Sequence, residues 1–361
     1  MKFQSAGGIL GCVSRPGRGI LVVAVGLLIG SSFPVSAENG PLENLPPNIR
    51  VLTHFGERAV WSPDGKRIAF VHRTLGDAFE ITVDSREIRC LTCAFVHAGY
   101  FRVHYLPGGD YLLIGPAEST DRQRARWNEA ELWLLKKDRK SPPLRLNQKL
   151  NEGVAVSRLA SRIAWAESSN QYPDRLPEGT SRLMVADVEI GPADARLVNA
   201  REVHRDQWPH CWLEAQDFRR GDSELIFSCY QPENESDVMG VSLETGNVVN
   251  YTNSPEVYDE PEGIFPDGEY TTVESDRQND RGDGYIDIWK LRLDGSGRDY
   301  VRLTYFTEFE GYKASNPSVS PDGRYMAFQL GRSGDEPGVG YGILLMDLGS
   351  PETPPDVADP K

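Results

Sequence analysis

A turn that keeps returning constrains this chain more than any other feature of its sequence. AVWSPDGKRIAF (59–70) recurs as VHYLPGGDYLLI (103–114), EGIFPDGEYTTV (262–273) and PSVSPDGRYMAF (317–328), with weaker copies AVSRLASRIAW (155–165) and DFRRGDSELIF (217–227) between them. Each copy reads as a strand, a tight turn and a second strand, because Pro presets the first φ of the turn and Gly takes its left-handed position. The turn positions Pro63, Pro107, Arg158, Arg220, Pro266 and Pro321 are spaced by 44, 51, 62, 46 and 55 residues, which suits four strands and their loops per repeat.

A third strand follows each copy (FEITV, ELWLL, RLMVADV, DVMGVSL, DIWKLRL and YGILLMDL), and a fourth follows in five of the six. The sixth repeat runs instead into GSPETPPDVADPK, whose prolines and charges predict a tail over 351–361. The missing strand is found at the front, where NIRVLT (48–53) precedes the first turn with no partner of its own. Six four-stranded sheets stack radially, and the ring closes when 48–53 pairs with 341–348 as the outer edge of the last blade. Closure is expected on physical grounds, since an open ring leaves blade faces and strand edges in water. The prediction is an all-β, six-bladed β-propeller over 48–350, preceded by a short linker at 38–47.

WSPDGKRIAF and VSPDGRYMAF, each followed by a third strand and, in the first case, by a strand of the RLT kind, resemble the repeats of TolB-type propellers, which also occur in the propellers of prolyl oligopeptidases. The resemblance covers nearly all of the chain after residue 37 and implies the fold, while such blades serve many tasks. It implies neither the additional N-terminal α/β domain of TolB, for which about ten residues remain, nor the hydrolase chemistry of the peptidases, since no Gly-x-Ser-x-Gly pentapeptide occurs.

The first 37 residues carry Lys2, Arg15 and Arg18 and no acid, then the apolar run 19–30 and the small-residue ending Val35-Ser36-Ala37. This predicts a secretory signal peptide, hence a secreted or periplasmic protein with no transmembrane segment after cleavage. Cleavage takes the formal charge from −14 to −17, and no Lys/Arg cluster stands out, so nucleic acid is not an expected partner. Four cysteines remain beyond the leader. Of the three pairings, Cys211–Cys229 is favoured because it ties the start of one repeat to its next strand. Cys90-Leu-Thr-Cys93 has the spacing of a redox pair or of a zinc half-site, but no second CxxC accompanies it, and the favoured reading is a surface bridge or two separate thiols.

In this topology the loops from second to third strand and from one blade to the next share one face, and they are long here. The aromatics Trp127, Tyr172, Trp208, Trp212, Tyr258, Tyr285, Phe309 and Tyr312 fall in or beside them, interleaved with Asp206, Glu260, Arg277, Glu310 and Lys313. Trp208, Trp212, Tyr258, Glu260, Arg277 and Tyr312 are the expected binding set, presenting flat apolar surface and polar fixers to a peptide, a glycan or a partner protein. Several of these aromatics are also expected to pack between blades.

No cofactor is expected, with two metal readings set beside that. His97 and His104 flank the start of the second blade, and His204 and His210 that of the fourth. A convergent set would resemble the histidine-rich manganese site of propeller oligogalacturonate lyases, whose ring has seven blades, and would imply a metal-dependent lyase or hydrolase. The segment NDRGDGYID (279–287) resembles the calcium loops of integrin-type propellers, with Asn279, Asp283, Asp287 and the Tyr285 carbonyl as ligands. Arg281 stands where a ligand oxygen belongs in that pattern.

Overall fold

The recurring turn is held by its own side chains. In the computed structural model, which describes residues 40–118, 121–336 and 338–349, the Asp64 carboxylate accepts from the Ser62 hydroxyl at 2.6 Å and the Lys66 amide at 3.1 Å, while the Ser62 oxygen accepts from the Arg67 amide at 2.9 Å. Ser320, Asp322, Arg324 and Tyr325 repeat these contacts at 2.5, 3.1 and 2.9 Å. Gly65 and Gly323 sit at φ 68° and 73°, where a side chain is strained. A Cβ on Gly65 would lie 3.7 Å from Pro321, and one on Gly323 would lie 3.4 Å from Pro266, so each turn rests on the proline of the preceding blade.

A second local device explains the RLT and DIW patterns. The Asp at the head of the third strand accepts from a Thr hydroxyl just after the fourth, and that hydroxyl oxygen accepts the amide that follows the Asp. Thr92 donates to Asp77 at 2.8 Å, Thr252 to Asp237 at 2.6 Å and Thr304 to Asp287 at 2.7 Å. The returning amides are Ala78, Val238 and Ile288, at 3.0, 3.0 and 2.8 Å. These clasps satisfy polar groups that would otherwise be orphaned where the sheet ends.

Six four-stranded antiparallel sheets result, with residues 57–90, 102–149, 154–207, 212–250, 259–302 and 312–347 forming blades 1 to 6. Ile49–Thr53 is the fourth strand of blade 6 and runs antiparallel to Ile343–Asp347, with Ile49 opposite Met346 and Thr53 opposite Ile343. The Asp347 amide donates to the Asn48 carbonyl at 2.8 Å and extends the zipper by one residue. A separate apolar cluster fills each of the six blade junctions. The one between blades 6 and 1 includes Leu52 of the closing strand.

Blade 3 departs from expectation. Its fourth strand runs Ala195–Gln207, far past the expected 195–199, and pairs with Thr180–Ile190. His204 and Asp206, expected in a loop, are therefore strand residues opposite Leu183 and Ser181. The dense charge of this segment hides its strand character, because an outer edge needs few apolar residues when both faces meet water. Residues 40–47, expected as a linker, carry a 3-10 turn (Pro41–Glu43), and Leu45 packs against the cluster shared by blades 5 and 6. The expected leader (1–37) and tail (351–361) lie outside the described residues. No described helix is long and apolar enough to cross a membrane.

Candidate functional site

The innermost strands Glu57–Trp61, Trp212–Arg219, Asp259–Ile264 and Tyr312–Val319 each break register with their neighbours, between Glu57 and Val60, Ala215 and Asp217, Pro261 and Gly263, and Ser315 and Ser318. A bulge re-aims a side chain. Here Arg58, Gln216, Glu262 and Asn316, all in the bulged stretches, line the central channel together with Arg102 and Gly153 of blades 2 and 3. Arg58 and Asn316 adopt φ 56° and 46° to do so.

Toward the SPDG turns the channel holds a cavity of about 190 Å³. Trp61, Tyr105 and Pro317 line it beside the polar side chains of Arg102, Gln216 and Asn316. His104 and Asp217 face it from equivalent repeat positions. Asp217 pairs with Arg158 at 2.8 Å, and His104 Nε2 has no hydrogen-bond partner. Burial, reinforced by Arg102, pushes the His104 imidazole down to about 3, so it is neutral at ordinary pH.

Toward the loops the channel is filled by charge. Arg58 and Arg126 both pair with Glu152, and Arg102 lies 3.9 Å from Glu152, 3.7 Å from Glu214 and 3.9 Å from Glu262. Burial alone would raise the Glu152 carboxyl, but the three guanidinium groups outweigh it and hold the group at about 2. Glu260, Glu262 and Glu274 go the other way: burial, with mutual repulsion behind it, pushes each up to about 8. One oxygen from each of these three lies within 4.8 Å of the others. The group can share protons at neutral pH or offer a hard cation three carboxylate oxygens. Asn316 donates its side-chain amide to Glu262 at 2.9 Å and Glu274 at 3.1 Å, and the Tyr230 and Tyr258 hydroxyls both donate to Glu260.

Sequence reasoning singled out Glu260 of this network, with Tyr258, but as loop-face groups; the structure buries both, at 7% and 8% exposure. The sequence signal for Arg58, Arg102, Gln216, Glu262 and Asn316 is a polar residue four or five positions before the turn; Arg126, Glu152, Glu214 and Glu274 share no such position.

The other expected binding residues are scattered. Arg277 is engaged within blade 5, with Asp259 at 2.7 Å and the Tyr300 ring at 3.5 Å. Tyr312 accepts from Arg332 at 3.0 Å, and Trp212 is half-buried opposite Tyr230. Trp208 is 45% exposed, and Trp127 is 42% exposed.

Of the histidines, His204 and His210 meet around Asp206, at 3.8 and 2.9 Å, while His97 bonds Asp77 at 2.9 Å. Among the described residues, no group of three metal-ligating side chains includes a histidine. In 279–287, the Asn279 amide donates to the Tyr285 carbonyl at 3.0 Å, Asp283 accepts from Asn234 at 3.1 Å, and the Arg281 guanidinium covers the Tyr285 ring at 3.6 Å. Asp287 is fully buried and accepts from Thr304, the Phe306 amide and Arg302. Both Cys211–Cys229 and Cys90–Cys93 are disulfide-bonded.

No family model matches the chain, and no curated protein does. Among solved structures, a putative TolB from Agrobacterium tumefaciens superposes with a TM-score of 0.52 at 16% identity, over 74% of this chain and 83% of that one. A gluconolactonase from Xanthomonas campestris gives 0.52 at 11% identity, over 83% and 89%. The Cps50 (Swd1) β-propeller domain of Myceliophteria thermophila gives 0.50 at 9%, over 83% and 100%. The likeness is one of fold. At these identities it carries no activity from one chain to another.

Proposed function

We propose that this chain is an exported, non-catalytic TolB-like propeller that holds a peptide or partner protein on its loop face, with the ring as a rigid scaffold. Export rests on the leader pattern of residues 1–37 and on two disulfides, which persist in oxidising compartments.

One arrangement carries the binding reading. Trp127 and Trp208 are both exposed on loops that flank the 169–179 loop of blade 3, and that loop is fastened to each of them. Gln171 donates its side-chain amide to the Trp127 carbonyl at 2.6 Å, and the Trp208 amide donates to the Gly179 carbonyl at 2.9 Å. Large aromatic side chains whose backbone is already ordered lose little entropy on docking, and tryptophan is the residue most enriched among interface hot spots. In the channel below, Arg58 and Arg126 are engaged with Glu152, and His104 is the histidine among the residues that line the cavity.

The test is capture. Immobilised wild-type protein is cross-linked in an envelope extract of its native source, beside Trp127→Ala and Trp208→Ala. Loss of the same captured species in both variants, with unchanged circular dichroism, is expected. Capture indifferent to both moves the site to the turn rim, and binding competed by oligosaccharide makes the ligand a glycan. Stoichiometric manganese, zinc or iron in the purified protein, lost on His104→Ala and His210→Ala, would return the lyase or hydrolase reading.

A further inference from the structure

The two disulfides occupy opposite environments. Cys211 and Cys229 are 2% and 3% exposed, inside the cluster between blades 3 and 4. Cys93 is exposed and Cys90 half-buried, at the corner where blade 1 passes to blade 2 on the loop face. Exchange begins with attack of a thiolate on a disulfide sulfur, so access to that sulfur selects which bridge reacts.

The surroundings of Cys90–Cys93 fit such a reaction. The Cys93 backbone N–H donates to Cys90 Sγ at 3.0 Å, a bond that strengthens as charge develops on that sulfur. The Asp77 carboxylate reaches within 4.8 Å of both sulfurs. Its orientation is fixed by Thr92, which donates at 2.8 Å, and by His97 Nε2 at 2.9 Å. Because the Gly99 amide donates to His97 Nδ1 at 3.0 Å, the imidazole hydrogen lies on Nε2 and points at Asp77. Asp77 is thus a placed proton acceptor beside the pair, with the Tyr100 hydroxyl near it and Arg139 of blade 2 donating to the Cys90 carbonyl at 3.4 Å. Three residues beyond Cys93, the Val96 side chain is fully exposed, which gives an approaching partner an apolar contact.

We propose that Cys90–Cys93 is a redox-active disulfide that exchanges with an external dithiol, while Cys211–Cys229 is structural. The external thiolate attacks Cys93 Sγ, forming an intermolecular disulfide and breaking the Cys90–Cys93 bond. The electron pair leaves on Cys90 Sγ, which is held by the Cys93 amide and takes a proton from solvent. The second thiolate of the external dithiol attacks its own sulfur in the mixed disulfide and releases Cys93 as thiolate, which is protonated in turn. The dithiol is oxidised to a disulfide by two electrons, and Cys90 and Cys93 are reduced to two thiols. An external disulfide reoxidises the pair by the same steps backwards and is itself reduced to the dithiol; in both directions the Cys90 proton passes between Cys90 Sγ and solvent by way of the neighbouring Asp77 carboxylate. This chemistry is independent of any docking at Trp127 and Trp208.

The purified protein is equilibrated in buffers of reduced and oxidised dithiothreitol, quenched with iodoacetamide, and its cysteine peptides are weighed. Cys90 and Cys93 are expected to be alkylated in buffers that leave Cys211 and Cys229 oxidised and the circular dichroism unchanged. With oxidised glutathione, the Cys90→Ser variant is expected to form a mixed disulfide at Cys93 at least about tenfold faster than the Cys93→Ser variant forms one at Cys90. Alkylation of all four cysteines together, or only after the fold is lost, overturns the proposal, as do equal rates in the two variants. Asp77→Asn is expected to move the pH profile of reoxidation, and an unmoved profile removes Asp77 from the mechanism.

Discussion

Arg58 of blade 1 and Glu152, which leads into blade 3, form an ion pair between two blades that are not neighbours, with side chains 6% and 4% exposed. The pair is a strut across the channel. Glu152 is also the partner of Arg126, which descends from the loop between Pro116 and Ala130 of blade 2. One carboxylate therefore ties three blades together where the loop face meets the axis.

Removing that carboxylate leaves guanidinium groups in the channel with too few counter-charges. Glu152→Ala is expected to cost about 3–5 kcal/mol, because an uncompensated buried charge is penalised far more than a pair is rewarded. Urea denaturation monitored by tryptophan fluorescence checks it. A loss below about 1 kcal/mol, as for an exposed pair, contradicts the strut.

The carboxyls of Glu260, Glu262 and Glu274, raised to about 8, bind protons in the native state that the unfolded chain, with glutamates near about 4.3, has released. Their contribution to stability is therefore full below the unfolded value and is lost as pH rises through about 8. Glu152, held at about 2, has the opposite sign, and its contribution disappears only as pH falls toward that value. The urea midpoint is expected to fall between about pH 5 and pH 8, with a slope of at most about 1.4 kcal/mol per pH unit for each group. Glu262→Gln should flatten the slope, and a wild-type midpoint constant across that window rules the raised carboxyls out.

Ring closure is tested by the strand Ile49–Thr53, which mixes buried and exposed side chains. Leu52 is 5% exposed in the cluster between blades 6 and 1, while Arg50 is exposed. Leu52→Ala is expected to lower stability by about 2–5 kcal/mol and Arg50→Ala by less than about 0.5 kcal/mol. Equal small effects in thermal denaturation would mean the zipper contributes little.

Asp287 separates the clasp from the calcium loop. Its substitution by Ala leaves the Thr304 hydroxyl, the Phe306 amide and Arg302 without their acceptor, and is expected to cost at least about 2 kcal/mol whether calcium or a chelator is present. A wild-type midpoint that climbs with added calcium, and a variant that does not respond, would instead assign the carboxylate to an ion.

The blade count, the turns and the closing strand were legible in the sequence because their causes are local. Pro63 and Gly65 fix backbone angles wherever they stand, and a strand with no sequence neighbour to pair with, 48–53, must find a partner elsewhere. Disulfide bonding of Cys211 with Cys229 followed from the same repeat register. The strand over 195–207 was half hidden, because an outer edge carries no apolar period to betray it.

What tertiary structure alone decided is the inside of the ring. Arg58, Arg102, Glu152, Glu214, Glu262 and Glu274 come from six separate segments, and nothing in any one segment says whether its charge meets water or another charge. Burial raises one carboxyl to about 8 and leaves another at about 2, according to which guanidinium groups the radial geometry brings beside it. Backbone preference is set by the residue itself and its neighbours in sequence, so the chain spells out its blades; the energy of a buried charge is set by everything around it, which only the closed ring assembles.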